Sequence, residues 1–155
     1  VVELIERDGA TLYERTYGRP YTRTSHSLAS DVRDLAERGP FTDRDAWRYV
    51  IGQAIDTYES RLKWGHLRDA AATFEEEPPR TGHQGLDAAT AALAEYFANR
   101  DGWAQPAWAA SPARVAHEPW IVASLASTRV RATQHSPAEF GHRGVYVSPE
   151  DLARV

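Results

Sequence analysis

Between Thr42 and Leu62 the sequence sets Trp47, Val50, Ile51, Ala54, Ile55, Tyr58 and Leu62 at helical spacing. Residues placed this way share one side of an α-helix. So long an apolar stripe must be buried, and the chain must therefore build a helical layer against it. "TDRDAW" gives this helix a start: the Thr42 hydroxyl can cap it, with Asp45 three residues on, a variant of the capping box. We expect it to be the spine of the core, with Trp47, Ile51 and Ile55 buried. Gly65 bends or splits it. Leu67, Ala70, Ala71 and Phe74 carry the spacing on to "EEEPP", where Pro78 and Pro79 stop it.

Three further segments read as helices. Val1 to Tyr17 is broken near Gly9, with Val2, Leu4, Ile5, Leu12 and Tyr13 as apolar members. Leu28, Val32 and Leu35 define a second, opened at Ser25 or His26 and ended by "RGP". Leu86, Ala89, Leu93, Tyr96 and Phe97 define a third, after the loop Arg80 to Gly85 and ended at Gly102.

The last third changes character. It holds Trp103, Trp108 and Trp120 and several prolines, a pattern of short elements. "SPARV", "SPAEF" and "SPEDL", at Ser111, Ser136 and Ser148, each read as a hydroxyl cap followed by proline in the first helical position. Val122, Leu125, Ala126, Val130 and Thr133 approximate helical spacing, and Gly144 to Val147 is a brief extended piece. The expected fold is mainly α. It is one domain over 1–155, with a helical N-terminal half (1–80) and a compact Trp/Pro-rich C-terminal lobe (81–155). That lobe is built of short helices with at most one short strand or hairpin.

Composition narrows the function. At 155 residues the chain can bury a real core. Its net charge of −4 argues against a nonspecific grip on DNA or on anionic membrane. It has no cysteine, which excludes disulfides, thiol catalysis and Cys-ligated zinc. No signal peptide or spanning run is evident, and a cytoplasmic location without membrane contact is expected. Nearly every basic residue is arginine, a composition of high-GC bacterial genomes. The chain begins at Val1 and contains no Met, so an upstream segment of the native protein is expected.

Candidate chemistry is sparse. His26, His66, His83, His117, His135 and His142 form no i, i+4 pair and no HExxH, so neither a metal nor a cofactor is expected. There is no Gly-x-Ser-x-Gly elbow, and the serines before proline are already engaged as caps. Asp56 and Glu59 read as part of a solvated helix face. "GHRG", Gly141 to Gly144, could hold an anion on His142 and Arg143, or Gly141 could simply cap a helix. Arg114, Arg129, Arg131 and Arg143 near the tryptophans suit nucleic acid, although no helix-turn-helix is evident. In "YGRPYTRT" Tyr17, Arg19, Tyr21 and Arg23 alternate, a composition favoured at protein contacts. An ordinary loop packed over the core fits the same residues. In the tail, Ser136 and Ser148 should start helices, and Phe140, Val145, Val147 and Leu152 should pack inward. His142 and Arg143 should then point outward with Tyr146 nearby, as a second contact point.

"ALAEYFANRDGWAQPAWAASPARV", Ala92 to Val115, and "SPAEFGHRGVYVSPEDLARV", Ser136 to Val155, resemble the end of small bacterial antitoxin or regulator proteins. Those proteins are encoded beside nucleotidyltransferase-like toxins of the AbiEii type. The shared features are the "LAEY" helix, the "PAW" turn, the Ser-Pro-Ala-x-Phe step, the Arg-Gly-aliphatic strand and the closing Ser-acidic-Leu helix. The first 80 residues depart from the pattern, since the helix-turn-helix common in that group is not found there. The resemblance implies a non-catalytic protein that binds and restrains a partner enzyme, a toxin from a neighbouring gene. A sequence-specific DNA-binding regulator is the alternative, and a small enzyme of unfamiliar type the third. The expected partner-binding residues are Tyr17, Arg19, Tyr21, Arg23, His142, Arg143 and Tyr146.

Overall fold

A computed structural model describes residues 9–122 and 126–153. The chain runs α1 (Leu12–Tyr17), α2 (Leu28–Glu37), α3 (Asp43–Ala46), a π-helical segment (Trp47–Gly52) and α4 (Gln53–Trp64). It continues with α5 (Leu67–Ala71), α6 (Gln84–Asp101), β1 (Trp120–Ile121) and α7 (Ala126–His135). It closes with α8 (Ala138–Gly141), β2 (Val145–Tyr146) and α9 (Pro149–Ala153). The expected mainly α architecture holds. Val2, Leu4, Ile5 and Leu125 lie outside the described residues.

The helix starts follow local chemistry. Thr11 and Glu14, Ser27 and Ser30, and Thr42 and Asp45 each form a reciprocal capping box. The helical path from Asp43 to Trp64 passes through the π-turn of Trp47–Gly52, and Ile51 and Ile55 on it are fully buried. Trp47 is only half-buried, edge-on to Trp120 with ring centroids 6.4 Å apart. Gly65 splits this path from α5 and leaves room for an aromatic ring: a Cβ there would stand 2.6 Å from the Tyr21 ring.

The most enclosed helix is α6. Leu86, Leu93 and Phe97 are fully buried, and so are Ala88, Ala89, Ala91, Ala92 and Ala94. Helix α6 shares the centre of the core with the Thr42 helix, whose Val50, Ile51, Ala54, Ile55 and Tyr58 are also fully buried. The α6 alanines form no strong stripe, but their small side chains let neighbours close on every face. The buried apolar cluster takes in residues from Leu28 to Leu152 and so joins both halves of the chain. Polar pins cross it. Tyr58 donates to Asp101 Oδ2 (2.6 Å) and accepts from Trp103 Nε1 (2.9 Å), and Trp108 Nε1 donates to the Phe74 carbonyl (2.9 Å).

Arg114 is buried as well. Its guanidinium donates to the Pro78 carbonyl (2.6 Å) and Thr90 Oγ1 (3.2 Å), and lies 5.1 Å from the Trp108 ring centre. Ser111, expected to start a helix, instead follows a 3-10 turn at Ala107–Ala110. Its hydroxyl accepts from Ala113 N (3.3 Å) and its carbonyl from Arg114 N (3.1 Å), an arrangement that turns Arg114 inward.

The tail is tied down as expected at Phe140, Val145, Val147 and Leu152, all buried. The strand β2 pairs in parallel with β1, Trp120 opposite Val145 and Ile121 opposite Tyr146. Ser148 caps α9, its hydroxyl 3.4 Å from Asp151 N. Ser136 does not cap α8. Its hydroxyl accepts from Val147 N (3.1 Å) and lies 3.4 Å from the Val145 carbonyl, so it serves the open edge of β2 as a neighbouring strand would. Those backbone groups would otherwise be left half-buried without partners.

Candidate functional site

Of the two expected contact points, the tail does not offer its arginine. Arg143 is 5% exposed. Its NH1 and NH2 reach Glu95 Oε1 (3.2 Å) and Oε2 (3.3 Å) on α6, and donate to the Glu139 carbonyl (2.8 Å) and the Ala109 carbonyl (2.9 Å). The expectation of an outward guanidinium is therefore corrected. Gly144 takes a left-handed turn (φ 78°), which swings the chain back and leaves Arg143 inside the bend. An anion has no place on a cation already paired this way. His142 is exposed, with Nε2 2.9 Å from the same Glu95 oxygen, and Tyr146 is half-buried on β2. The basic set proposed for nucleic acid shrinks in the same way: Arg114 and Arg143 are internal, and Arg131 is paired with Glu150.

The first loop does assemble. Helix α1 ends at Tyr17, and the loop from Gly18 to Ser27 crosses α4 and α5. Tyr21 seats its ring on Gly65 and divides two open grooves, each of about 820 Å³. On one side stand Tyr13, Tyr17 and Trp64, with Gln53, Thr57 and Ser60 of α4 as the floor. On the other stand Arg23, Arg68, Phe74, Trp103 and Pro106.

The first groove carries a ladder of rings. Centroids are 5.8 Å apart from Tyr21 to Tyr13, 4.7 Å from Tyr13 to Tyr17 and 6.1 Å from Tyr17 to Trp64. Tyr13 and Tyr17 are four residues apart on α1, which stacks them on one face. Arg19 folds back over them. Its guanidinium lies 5.7 Å from the Tyr13 ring and 5.9 Å from the Tyr17 ring, and its Nε donates to Tyr13 Oη (3.1 Å). Lys63 lies 5.1 Å from the Trp64 ring. Tyr17 is the most exposed aromatic of the set, at 54%. Arg23 lies beyond Tyr21, 3.8 Å from Asp69, and so belongs to the second groove.

Beneath the loop lies a buried polar knot that the sequence did not reveal. Arg61 is 4% exposed. It donates to Thr73 Oγ1 (3.0 Å), to the Thr24 carbonyl (2.9 Å) and to the His26 carbonyl, fastening the loop to α4. Burial lowers its pKa. Asp31, also buried, has a carboxyl pushed up to about 7 by burial and by Asp34, against the pull of Arg61. His26 Nε2 stands 2.7 Å from Asp31 Oδ1, in an orientation that forms no hydrogen bond, and Asp31 Oδ2 is unpartnered. The apolar stripe that predicts α4 gives no sign of this knot, because Arg61 is not one of its members.

A further histidine–carboxylate pair, His83 with Asp43, is structural. His83 Nε2 meets Asp43 Oδ1 at 2.6 Å and Nδ1 accepts from Leu86 N at 2.9 Å. Both ring nitrogens are occupied, and the ring caps α6. Among the described residues no group of three histidines or carboxylates is placed to hold a metal ion, and no helix is long and apolar enough to cross a membrane.

No protein family, curated protein or solved structure matches this chain.

Proposed function

We propose that this protein is a non-catalytic, antitoxin-like binding module that restrains a partner enzyme encoded by a neighbouring gene. The contact is made at the ring ladder of α1, the following loop and α4. The observation that carries the reading is the exposed stack of Tyr17, Tyr13 and Arg19 against Trp64. Tyr and Trp give large contact area at low conformational cost, and Arg adds orientation, which is the composition of binding hot spots. The Arg61 knot supports the same reading, since a loop fastened from below loses little entropy on docking. Of the seven expected contact residues, Tyr17, Arg19 and Tyr21 are retained together and Arg23 as a flank. His142 and Tyr146 remain accessible, on a different surface element.

The test is co-expression of the full chain with the untagged product of the neighbouring gene. Co-elution and suppression of that enzyme's activity are expected. Both should weaken in Tyr17→Ala and Arg19→Ala without a change in the thermal melt. Co-elution unaffected by both substitutions overturns the assignment of this face.

A further inference from the structure

We infer that the first loop is held by a proton-controlled clasp: a proton on the buried Asp31–His26 pair keeps the loop fastened to α4, and its loss draws Arg61 away from the loop. This deepens the partner-binding reading above, on which it rests for the loop's purpose but not for the clasp itself.

The geometry of the pair is the first support. His26 Nε2 and Asp31 Oδ1 stand 2.7 Å apart, yet His26 Nε2 and Asp31 Oδ2 are both buried without a hydrogen-bond partner. An ionised carboxylate only accepts, so it leaves this pocket short of a donor. A proton on the carboxyl removes the charge and supplies that donor. The His26 ring is 38% exposed, so the pair touches solvent through it and protons can enter and leave.

Arg61 is the second. Its guanidinium serves Thr73 Oγ1 and the carbonyls of Thr24 and His26, all neutral groups, and two of the three belong to the loop. Hydrogen bonds to an ionised acceptor are roughly twice as strong as those to a neutral one. An ionised Asp31, with one oxygen unpartnered, therefore competes for Arg61 against the two loop carbonyls. While Asp31 is neutral, that competition is absent.

The surrounding charges set where the switch works. Helix α2 packs on the π-helical segment, on α4 and on the 3-10 turn Ala72–Phe74. From α4 comes Arg61, and from α2 itself Asp34. Arg48 of the π-helical segment is exposed and lies over the Tyr49 ring. Arg23, Glu75 and Glu76 line an open groove over His26 and Arg61, and Glu76 is paired with Arg33. Burial and Asp34 together raise the Asp31 carboxyl to about 7, against Arg61. The loop's fastening at Tyr21 N is to Glu14, whose carboxyl is held below its ordinary value by backbone hydrogen bonds from Thr11 and Tyr21, so it stays ionised across the range.

The experiment follows hydrogen exchange of the Tyr21 and Ser27 amides in the full chain, corrected for the intrinsic rate at each pH. Both amides are bonded in the fastened loop, to Glu14 Oε1 (3.3 Å) and Ser30 Oγ (2.9 Å). A raised carboxyl gives stability that is lost as pH climbs toward its folded value, by up to about tenfold per pH unit. Protection should fall at least about fivefold between about pH 5 and about pH 7, then level off. Both amides should exchange faster than that of buried Leu93 in α6, as local release requires. Asp31→Asn keeps the pair uncharged and should give a flat profile. Asp34→Asn changes an exposed residue and removes a charge that raises Asp31, so its profile should level off at lower pH. A flat wild-type profile, the same fall in Asp31→Asn, or loop amides that exchange only in step with Leu93 overturns the inference. If the neighbouring gene product co-elutes while the wild-type profile is flat, the clasp falls and the proposed function stands. If the profiles behave as expected and the product co-elutes at no pH, the clasp stands and the proposed function falls.

Discussion

Arg143 and Glu95 form a two-pronged pair, NH1 to Oε1 at 3.2 Å and NH2 to Oε2 at 3.3 Å, joining the tail to the central helix. The guanidinium also serves the Ala109 and Glu139 carbonyls. It therefore ties three segments together from one buried point.

Arg143→Ala should lower the thermal melt sharply. Removing one partner of a fully buried pair typically costs about 3–5 kcal/mol; Glu95 is partly exposed and keeps His142 on Oε1, so the loss here should fall below that range. Arg143→Lys should recover only part, since an ammonium cannot match both oxygens and both carbonyls. Burial raises the Glu95 carboxyl, but hydrogen bonds from Arg143 and His142 outweigh this and hold it below its ordinary value. A depressed carboxyl contributes stability above its unfolded value and loses it as pH falls through the folded one. The pair should therefore weaken in acid, and that acid-dependent loss should shrink in Arg143→Ala. A melt that stays unchanged in Arg143→Ala would show the tail to be held by its apolar residues alone.

Asp31 works in the opposite sense. Its carboxyl titrates at about 7 in the folded protein, well above its ordinary value of 3.8, so folding favours the protonated form. The stability this supplies is full below the unfolded value and is lost as pH rises toward about 7. Asp31→Asn mimics the neutral carboxyl. It should melt close to wild type near pH 4 and increasingly above it as pH approaches neutrality. Each pKa unit corresponds to about 1.4 kcal/mol, so the gap should reach the order of a few kcal/mol. Paired melts across that pH range check it, and a constant gap would mean that Asp31 is ionised throughout.

Gly144 is required by position. Its φ of 78° is left-handed, and a Cβ would stand 2.4 Å from the Ala116 carbonyl oxygen. That carbonyl belongs to backbone and cannot rotate aside as a side chain can. Gly144→Ala should cost more than the roughly 1–2 kcal/mol of the left-handed conformation alone. It should also disturb Trp120, whose N–H donates to the Gly144 carbonyl (2.9 Å). Chemical denaturation followed by tryptophan fluorescence reads both effects. A near-neutral result would show that the bend relaxes around the new methyl group.

Periodicity and end signals carried much of the architecture. Ile51 and Ile55 are buried because their spacing left no other face for them, and the Thr42–Asp45 box forms because its groups lie within one turn. Phe140, Val145, Val147 and Leu152 were legible in the same way, as apolar residues in a short tail that must pack. The aromatic and arginine content of the first loop also marked a face that the fold does assemble.

What the sequence could not decide was the direction of residues whose partners are distant in the chain. Ser136, Ser148 and Ser111 share the Ser-Pro step, yet only Ser148 caps a helix; Ser136 serves a strand edge and Ser111 a turn. Arg114 and Arg143 read as surface cations and Arg61 carried no signal, yet all three are buried, because carbonyls and carboxylates from remote segments close around them. Trp64 and Lys63 join Tyr17 and Arg19 only because Gly65 lets Tyr21 seat the loop on α4. Local sequence thus set where helices begin and which of their faces are apolar, since backbone capping and side-chain spacing act within a few residues. The burial of the arginines and the assembly of the ring ladder were decided by tertiary structure alone, since desolvation and long-range hydrogen bonding depend on groups that meet only in the folded chain.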